Sequence, residues 1–258
     1  MSVSRVLVIA GSDSGGGAGI QADIKAITAF GCHAMTAITA ITAQNTLGVS
    51  DVLVLEPALV VAQIDAVLTD IGADAIKIGM IGSPAIAEAV SDRLSREDAR
   101  VPLVFDPVMV ATSGATLADE ATIAAFERLM ALATLVTPNL PELALLSPEG
   151  PEALATRTHA AVLAKGGHGE GERLIDRLVR VDGSSETWID DRIDTRHTHG
   201  TGCTLASAIA AGLAKGERLD AAVAAARRYV RAAILASPGL GGGSGPLGWP
   251  HFHARSGD

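Results

Sequence analysis

The sequence is poor in aromatic residues and has no excess of basic ones. Aromatic residues make up 3% of the 258 positions, too few for the stacking platforms on which proteins bind single-stranded nucleic acids. Lysine and arginine number 20 against 29 acidic residues, which gives a formal net charge of −9. Nucleic-acid binding requires a basic surface. We therefore expect no nucleic-acid partner.

Cysteine is also scarce. Two residues, Cys32 and Cys203, do not make a disulfide framework, and the chain has no C-x-x-C pair of the kind that binds zinc. The histidines form no metal-ligand pattern with these cysteines, so no zinc site is expected. A reduced cytoplasmic setting is the simplest interpretation.

Long apolar runs are missing as well. No segment approaches the roughly 18 consecutive apolar residues of a membrane span, and the apolar run 6–10 is too short for the core of a signal peptide. We expect no membrane partner. Hydrophobic residues nevertheless reach 48% and charged residues 19%, a composition typical of a globular chain and not of a disordered one. With no linker or repeat, residues 1–258 are predicted to form one domain.

Short apolar runs alternate with segments of helical periodicity along most of the chain. Strands are predicted at 6–10, 33–41, 49–55, 75–78, 101–105, 135–137 and 160–163, and helices at 20–30, 57–71, 84–94, 120–132, 201–213 and 219–235. This alternation indicates βαβ units and a largely parallel sheet. The stretch 172–195 breaks the pattern with short apolar runs at 174–181, 187–189 and 192–194, and it predicts an antiparallel edge. The tail from residue 238 is expected to be irregular.

A polar or conformationally special residue follows six of the predicted strands. These residues are Gly11, Gln44, Met80, Asp106, Asn139 and Lys165. In open parallel sheets, ligands bind outside the carboxyl ends of the strands. The recurrence predicts a binding site along one edge of the sheet.

The first glycine-rich loop, residues 11–19, resembles several known motifs without completing any of them. Residues 17–22 fit G-x-G-x-x-A, but the acidic residue of a dinucleotide site is missing after the second strand. No P-loop pattern occurs, and Asp13 stands where a nucleophile elbow has serine. Asp23, in the following helix, either reaches back to the sheet edge or is a solvated helix carboxylate.

The second glycine element, residues 199–207, opens a helix. Gly200 and Gly202 allow consecutive backbone N–H groups to converge on one point, where the helix dipole adds positive potential. This pattern predicts a cradle for phosphate or for an oxyanion. Cys203 lies in the first turn, where the thiol pKa is expected to fall. The alternative is a buried structural cysteine.

Three further strand exits carry residues suited to phosphate chemistry. Asn139 and Glu142 are three residues apart, so they suit either a hydrated Mg²⁺ near phosphates or a helix capping box. Asp106 would add a second carboxylate to a metal site. Lys165 is placed to neutralise phosphate charge, whereas His168 is favoured as a surface loop residue.

Taken together, these segments resemble one family, the hydroxymethylpyrimidine/phosphomethylpyrimidine kinases, which are thiamine-pathway enzymes of the ribokinase-like superfamily. The matching segments are 10–25, 42–45, 77–80, 106–109, 137–142, 165–168, 199–203 and 245–253, in collinear order over nearly the whole chain. The resemblance implies an α/β fold: a three-layer ribokinase-like sandwich with a mostly parallel central sheet, helices on both faces and an antiparallel edge near 172–195. It also implies ATP and Mg²⁺ as cofactors, a small-molecule substrate and a homodimer.

The resemblance assigns expected roles to residues at matching positions. The pyrimidine would be bound by Gln44, with help from Asp23 and from the backbone of Gly11, between apolar walls formed by Met80 and Val108. Cys203 would be the base, or would position the substrate hydroxyl, beside an anion hole made by Gly200, Thr201 and Gly202. Lys165, Asn139 and Asp106 would bind ATP phosphates, while Glu142 and Asp106 would bind Mg²⁺, partly through water.

The chain also departs from the family pattern. Thr112 stands where relatives usually carry lysine, so a phosphate contact needed for the second phosphorylation is expected to be missing. The segment 146–159 is shorter than the family pattern, and its crossover helix is expected to be abbreviated to about 151–158. Pyridoxal kinase is the sibling alternative, because some relatives accept a hydroxymethylpyridine. A non-catalytic pyrimidine-binding module is the alternative from another class.

Overall fold

The computed structural model describes residues 3–96, 99–109, 119–168 and 171–250. Its strands are β1 (Arg5–Asp13), β2 (His33–Asn45), β3 (Gly48–Val54), β4 (Ala75–Ile78), β5 (Leu103–Phe105), β6 (Leu135–Val136), β7 (Ala161–Ala164), β8 (Arg173–Val179) and β9 (Ser185–Asp191). Its α-helices are α1 (Gly19–Ala29), α2 (Pro57–Asp70), α3 (Pro84–Leu94), α4 (Glu120–Met130), α5 (Leu140–Leu146), α6 (Pro151–Thr158), α7 (Thr201–Ala214) and α8 (Leu219–Leu235). Residues 110–118, which include Thr112, lie outside the described part, as do His251 and His253.

The strands form one sheet in the order β3-β2-β1-β4-β5-β6-β7-β8-β9. Six neighbouring strands in this order run parallel to one another: β2, β1, β4, β5, β6 and β7. β8 and β9 add antiparallel strands at one edge, which confirms the edge predicted near 172–195. The expected strand at 192–194 is wrong, since β9 is a single strand that ends at Asp191. β3 is a second antiparallel edge strand, paired with β2, an orientation that the alternation of strands and helices did not predict.

Helices cover both faces of the sheet, as the three-layer prediction requires. Alternate residues of β1 enter the two cores: Leu7 and Ile9 pack into one, and Val6 and Val8 into the other. The first core is closed by apolar residues of α2, α3 and α4. The second is closed by α1, α7 and α8. Because both faces of the central strands are buried, these strands read as continuous apolar runs in the sequence.

Two strands run further than predicted, and both extensions lead toward the predicted site. β1 continues past Ala10, where its register against β2 shifts, and pairs Asp13 with Thr42. β2 continues to Asn45, paired with β3. The extra length carries Asp13 and Gln44 to the same edge of the sheet. Among the described helices, none combines the length and apolar character needed to cross a bilayer.

Candidate active site

A cavity of about 600 Å³ lies at the carboxyl ends of the parallel strands. All six strand-exit residues that the sequence singled out line it: Gly11, Gln44, Met80, Asp106, Asn139 and Lys165. Val108, Glu142 and the α7 residues Gly200, Thr201, Gly202 and Cys203 line it too. Residues that are far apart in the sequence thus face one space, which we call the sheet-edge cavity.

The glycines at the start of α7 bring the helix N-terminus close to the sheet. Gly200 has a φ of +86°, and a Cβ atom there would overlap the carbonyl oxygen of Gly17. A Cβ atom on Gly202 would lie 3.4 Å from both Asp106 Oδ2 and Lys165 Nζ. The first turn of α7 therefore lies directly against the side chains of Asp106 and Lys165, and the helix N-terminus provides positive potential there.

Asp106 and Lys165 form that ion pair, with 2.6 Å between Oδ1 and Nζ. The Thr137 hydroxyl donates to the same carboxylate oxygen at 2.9 Å. Burial favours the neutral acid, yet the lysine ammonium groups hold the pKa of Asp106 below its ordinary value. The Asp106 carboxylate likewise raises the pKa of Lys165 against the opposing effect of burial. The pair is therefore charged, and it places one cation and one anion at the floor of the cavity.

Asn139 and Glu142 form the capping box that was one of the two predicted alternatives. The Asn139 side chain accepts from the Glu142 N–H at 2.9 Å, and the Glu142 carboxylate accepts from the Asn139 N–H at 2.8 Å. Burial raises the pKa of Glu142 to about 7, with Asp106 adding to the effect and Lys165 opposing it. The cap fixes both side chains at the cavity wall. Within the described ranges, no three His, Cys, Asp or Glu side chains cluster as a metal site.

Cys203 lies in the first turn of α7, partly exposed, as predicted. The expectation for its thiol was wrong in direction. Burial raises the pKa of Cys203 to about 11, and Asp23 and Asp106 reinforce the rise against the attraction of Lys77. Desolvation is the largest of these effects, and with a pKa of about 11 the thiol is neutral at pH 7.

The structure places Asp23 away from the cavity, in contrast to the expectation that it would help to bind the pyrimidine. Its side chain is completely buried. Both carboxylate oxygens lie 2.9 Å from Lys77 Nζ, and Ser207 donates to one of them at 2.7 Å. Lys77 was not predicted as a functional residue. A lysine within the otherwise apolar strand β4 was the available signal.

Asp13 and His199 were also missed as members of the site. Asp13 accepts backbone N–H groups from Gly15, Gly17 and Ala18, and its Oδ2 lies 2.8 Å from His199 Nε2. Burial opposes ionisation, but these hydrogen bonds lower the pKa of Asp13. The glycines next to both residues were the available signal in the sequence. In the structure, a Cβ atom on Gly17 would lie 2.5 Å from the His199 ring, so the close approach of the two segments requires glycine there.

The cavity has an apolar wall near Gln44 and a second apolar region at its far end. Gly11 leaves room for Met80, whose sulfur would lie 3.0 Å from a Cβ atom at that position. The far end is lined by apolar residues of the β8–β9 side and of α8, namely Leu174, Ile193, Val230 and Ile234. The lining thus runs from β1, β2 and β4 to the β8–β9 side of the sheet, with the ion pair of Asp106 and Lys165 between the two apolar regions.

The turn after Lys165 is held from the far end of the cavity. Asp176 accepts the Gly166 N–H at 2.8 Å and the Arg227 Nε–H at 2.7 Å. Arg227 also donates to Asp190 at 2.6 Å. These bonds link α8 and the antiparallel edge to the backbone of the turn that carries Lys165.

Comparison with known proteins agrees with this geometry. Residues 13–248 match the family model described as phosphomethylpyrimidine kinase. The hydroxymethylpyrimidine/phosphomethylpyrimidine kinase of Streptomyces coelicolor is 49% identical over 95% of this chain and 94% of its own. The thiamine biosynthesis bifunctional protein of Geobacter sulfurreducens is 45% identical over 94% of this chain and 51% of its own. Bacillus subtilis pyridoxal kinase, solved as an ADP complex, has a TM-score of 0.86 and 33% identity, covering 97% of this chain and 98% of its own.

Proposed function

Because the chain belongs to the phosphomethylpyrimidine kinase family, we infer that it is a phosphotransferase of thiamine biosynthesis. It phosphorylates 4-amino-5-hydroxymethyl-2-methylpyrimidine to the monophosphate. It then phosphorylates the monophosphate to the diphosphate. The observation that carries this conclusion is the full-length match to the curated kinases. The sheet-edge cavity supports it, since an amide, an anion cradle and a lysine face one space.

ATP is the phosphoryl donor in this proposal. The ADP complex of the similar pyridoxal kinase supports nucleotide binding, and the two-ended cavity has room for a nucleotide beside the alcohol. The adenine base would lie in the apolar far end, with its phosphates toward Lys165, Asn139 and Asp106. Residues Gly200, Thr201 and Gly202 would form the anion hole for the transferred group through their backbone N–H groups.

Mg²⁺ is the proposed metal. Glu142 and Asp106 line the cavity beside Lys165, and both carboxylates raise the pKa of that lysine. This donor set fits a hydrated Mg²⁺ that is held mainly by phosphates. When bound, the metal would neutralise charge on the transferred phosphoryl group.

The alcohol end of the cavity supports a positioning mechanism. Gln44 can donate to and accept from an aminopyrimidine edge, while Gly11, Met80 and Val108 would enclose the ring. Phosphoryl transfer passes through a loose transition state that needs alignment and charge neutralisation more than a strong base. A neutral Cys203 thiol would hold the hydroxymethyl oxygen in line with the phosphoryl group.

One continuous sheet with a core on each face supports a single domain over residues 1–258. We place the enzyme in the cytoplasm as a homodimer, with neither nucleic-acid nor membrane partners. The β2–β3 hairpin supports self-association because Leu47 is 73% exposed and Leu53 62% exposed, and such apolar patches are typical of interfaces.

Pyridoxal is the second candidate substrate. The similarity to the Bacillus subtilis pyridoxal kinase over nearly the whole of both chains favours it. Gln44 and Met80 favour the pyrimidine without excluding a hydroxymethylpyridine of similar size.

The test is ADP release from purified protein with ATP and Mg²⁺, offered the pyrimidine alcohol, its monophosphate and pyridoxal in parallel. We expect turnover of both pyrimidines, with kcat falling at least tenfold in Cys203→Ala. Turnover of the alcohol alone would locate the defect in the second step, at the position of Thr112. A preference for pyridoxal would transfer the assignment to that substrate. No turnover with any substrate would favour a binding module.

The metal assignment has its own test. Glu142→Gln is expected to raise the Mg²⁺ concentration for half-maximal activity, by about tenfold if the carboxylate binds the metal shell. Glu149→Gln, at an exposed position, is the matched control and should leave that concentration unchanged. An equal fall in kcat at all Mg²⁺ concentrations would leave Glu142 as a helix cap only.

A further inference from the structure

His199 and Gln44 meet at the alcohol end of the sheet-edge cavity. His199 Nε2 lies 2.8 Å from Asp13 Oδ2 and 3.3 Å from Gln44 Nε2. Gln44 Oε1 lies 3.1 Å from Thr42 Oγ1, which is itself 2.8 Å from the carbonyl oxygen of Ser12. His199 and Thr42 are buried, so neither has bulk water as an alternative partner.

The protons of this chain of contacts follow from counting donors and acceptors. Asp13 receives three backbone N–H groups, and these bonds keep the pKa of its carboxyl below the ordinary value. A carboxylate at 2.8 Å requires a proton on His199 Nε2. The ring nitrogen next to Gln44 is therefore a donor.

With a donor on His199, one orientation of the Gln44 amide is favoured. If the amide nitrogen faces His199, two N–H groups oppose each other. In that orientation the single hydroxyl hydrogen of Thr42 is also shared between Ser12 and the Gln44 oxygen. Turning the amide by half a rotation relieves both conflicts. The amide oxygen becomes a second acceptor for the His199 Nε2–H, which it shares with Asp13 Oδ2, and the amide nitrogen donates to Thr42, whose hydroxyl donates to Ser12.

We propose that His199 is a positioning residue that locks the Gln44 amide in this orientation and thereby selects an aminopyrimidine over its 4-oxo analogue. Gln44 then presents an acceptor on the His199 side and a donor on the Thr42 side. A 4-amino group beside an unprotonated ring nitrogen matches this pair. A 4-oxo group beside a ring N–H has the opposite pattern and requires the disfavoured orientation. The inference rests on the proposed function, in which Gln44 binds the pyrimidine edge.

The test compares kcat/KM for 4-amino-5-hydroxymethyl-2-methylpyrimidine with that for the 4-oxo analogue. Wild type is expected to prefer the amino compound by at least about tenfold, the cost of one mismatched hydrogen bond. His199→Phe keeps a ring against Gly17 but lacks the donor, and should reduce this ratio about tenfold, mostly through KM for the amino compound. His199→Gln, which restores a donor, should recover most of the preference.

Thr42→Val removes the hydroxyl group that contacts the Gln44 amide on the side opposite His199. It leaves the His199 ring beside Gly17 unchanged. It should also lower the ratio, and in a Gln44→Leu background neither His199→Phe nor Thr42→Val should change the ratio further. An unchanged ratio in Thr42→Val and in a folded His199→Phe overturns the lock. A wild type that uses both compounds equally overturns it as well, while the proposed kinase function stands. A wild type that phosphorylates neither compound overturns both.

Discussion

The ammonium group of Lys77 lies 2.9 Å from both carboxylate oxygens of Asp23, and both side chains are fully buried. The pair joins β4 to α1, and Ser207 of α7 donates to the same carboxylate. Asp23 raises the pKa of Lys77 above its ordinary value, against the opposing effect of burial. Burial also raises the pKa of Asp23, with Lys77 and Ser207 opposing the rise. At 2.9 Å from both oxygens the ammonium group stabilises the carboxylate, and Ser207 ties the pair to α7, the helix that carries Cys203.

Breaking this pair is expected to destabilise the fold strongly. Lys77→Met leaves an uncompensated buried carboxylate and should lower the free energy of unfolding by about 3–5 kcal/mol. The double variant Lys77→Met/Asp23→Leu should recover much of the loss, because no buried charge remains. Urea unfolding measures both.

The matched control for this prediction is an ion pair of similar length at the surface. Arg128 lies 2.6 Å from Asp92, and both side chains are more than half exposed. Arg128→Met should cost less than about 1 kcal/mol. Equal losses for the two single variants would contradict the interpretation of Lys77 as a buried structural charge.

The raised pKa of Cys203 predicts a slow reaction with alkylating agents at neutral pH. A pKa near 11, compared with the ordinary 9.0, makes the thiolate fraction at pH 8 about a hundredfold smaller. The rate of iodoacetamide modification should therefore keep rising with pH toward 11. Cys203→Ala gives the background from Cys32, whose pKa burial also raises. A rate that levels off below pH 8 would mean that the helix N-terminus outweighs desolvation after all.

Two glycines of the α7 cradle are expected to respond differently to alanine. Gly202→Ala places a methyl group 3.4 Å from Asp106 and Lys165, an ordinary contact, so stability should change by less than about 1 kcal/mol while kcat falls. Gly200→Ala requires a positive φ and overlaps the Gly17 backbone, so the fold itself should lose several kcal/mol. Thermal unfolding and ADP release on both variants separate the two effects. Full activity in Gly202→Ala would exclude this turn as the phosphate cradle.

Asp176 is expected to matter for nucleotide binding through the turn that carries Lys165. Asp176→Ala leaves the buried Gly166 N–H without an acceptor, which costs about 1–3 kcal/mol, and should raise KM for ATP more than it lowers kcat. Asp190→Ala is the control, because Asp190 bonds Arg227 and no bond from Asp190 to the Gly166 N–H is present in the described structure. Similar KM values for the two variants would show that the ion pairs with Arg227, and not the bond to Gly166, hold the turn.

Most elements of the fold follow from local patterns in the sequence. The helices Pro84–Leu94, Pro151–Thr158 and Leu219–Leu235 and the strand Ala75–Ile78 have the predicted bounds. Helical periodicity, Pro at a first turn and fully apolar short strands are local consequences of burial, so they can be read from neighbouring residues. The alternation of these elements also placed the six strand-exit residues at one edge, where they line one cavity.

The pairing of buried groups, in contrast, follows from the three-dimensional fold and not from local patterns. Asp23 was expected at the sheet edge, but its partner is Lys77, and Asp13 meets His199, which is 186 positions away in the sequence. The raised pKa of Cys203 and the antiparallel direction of β3 also result from contacts between distant parts of the chain. Desolvation, charge pairing and strand pairing depend on residues that the fold brings together from distant parts of the chain, and no local pattern of residue types specifies those distances.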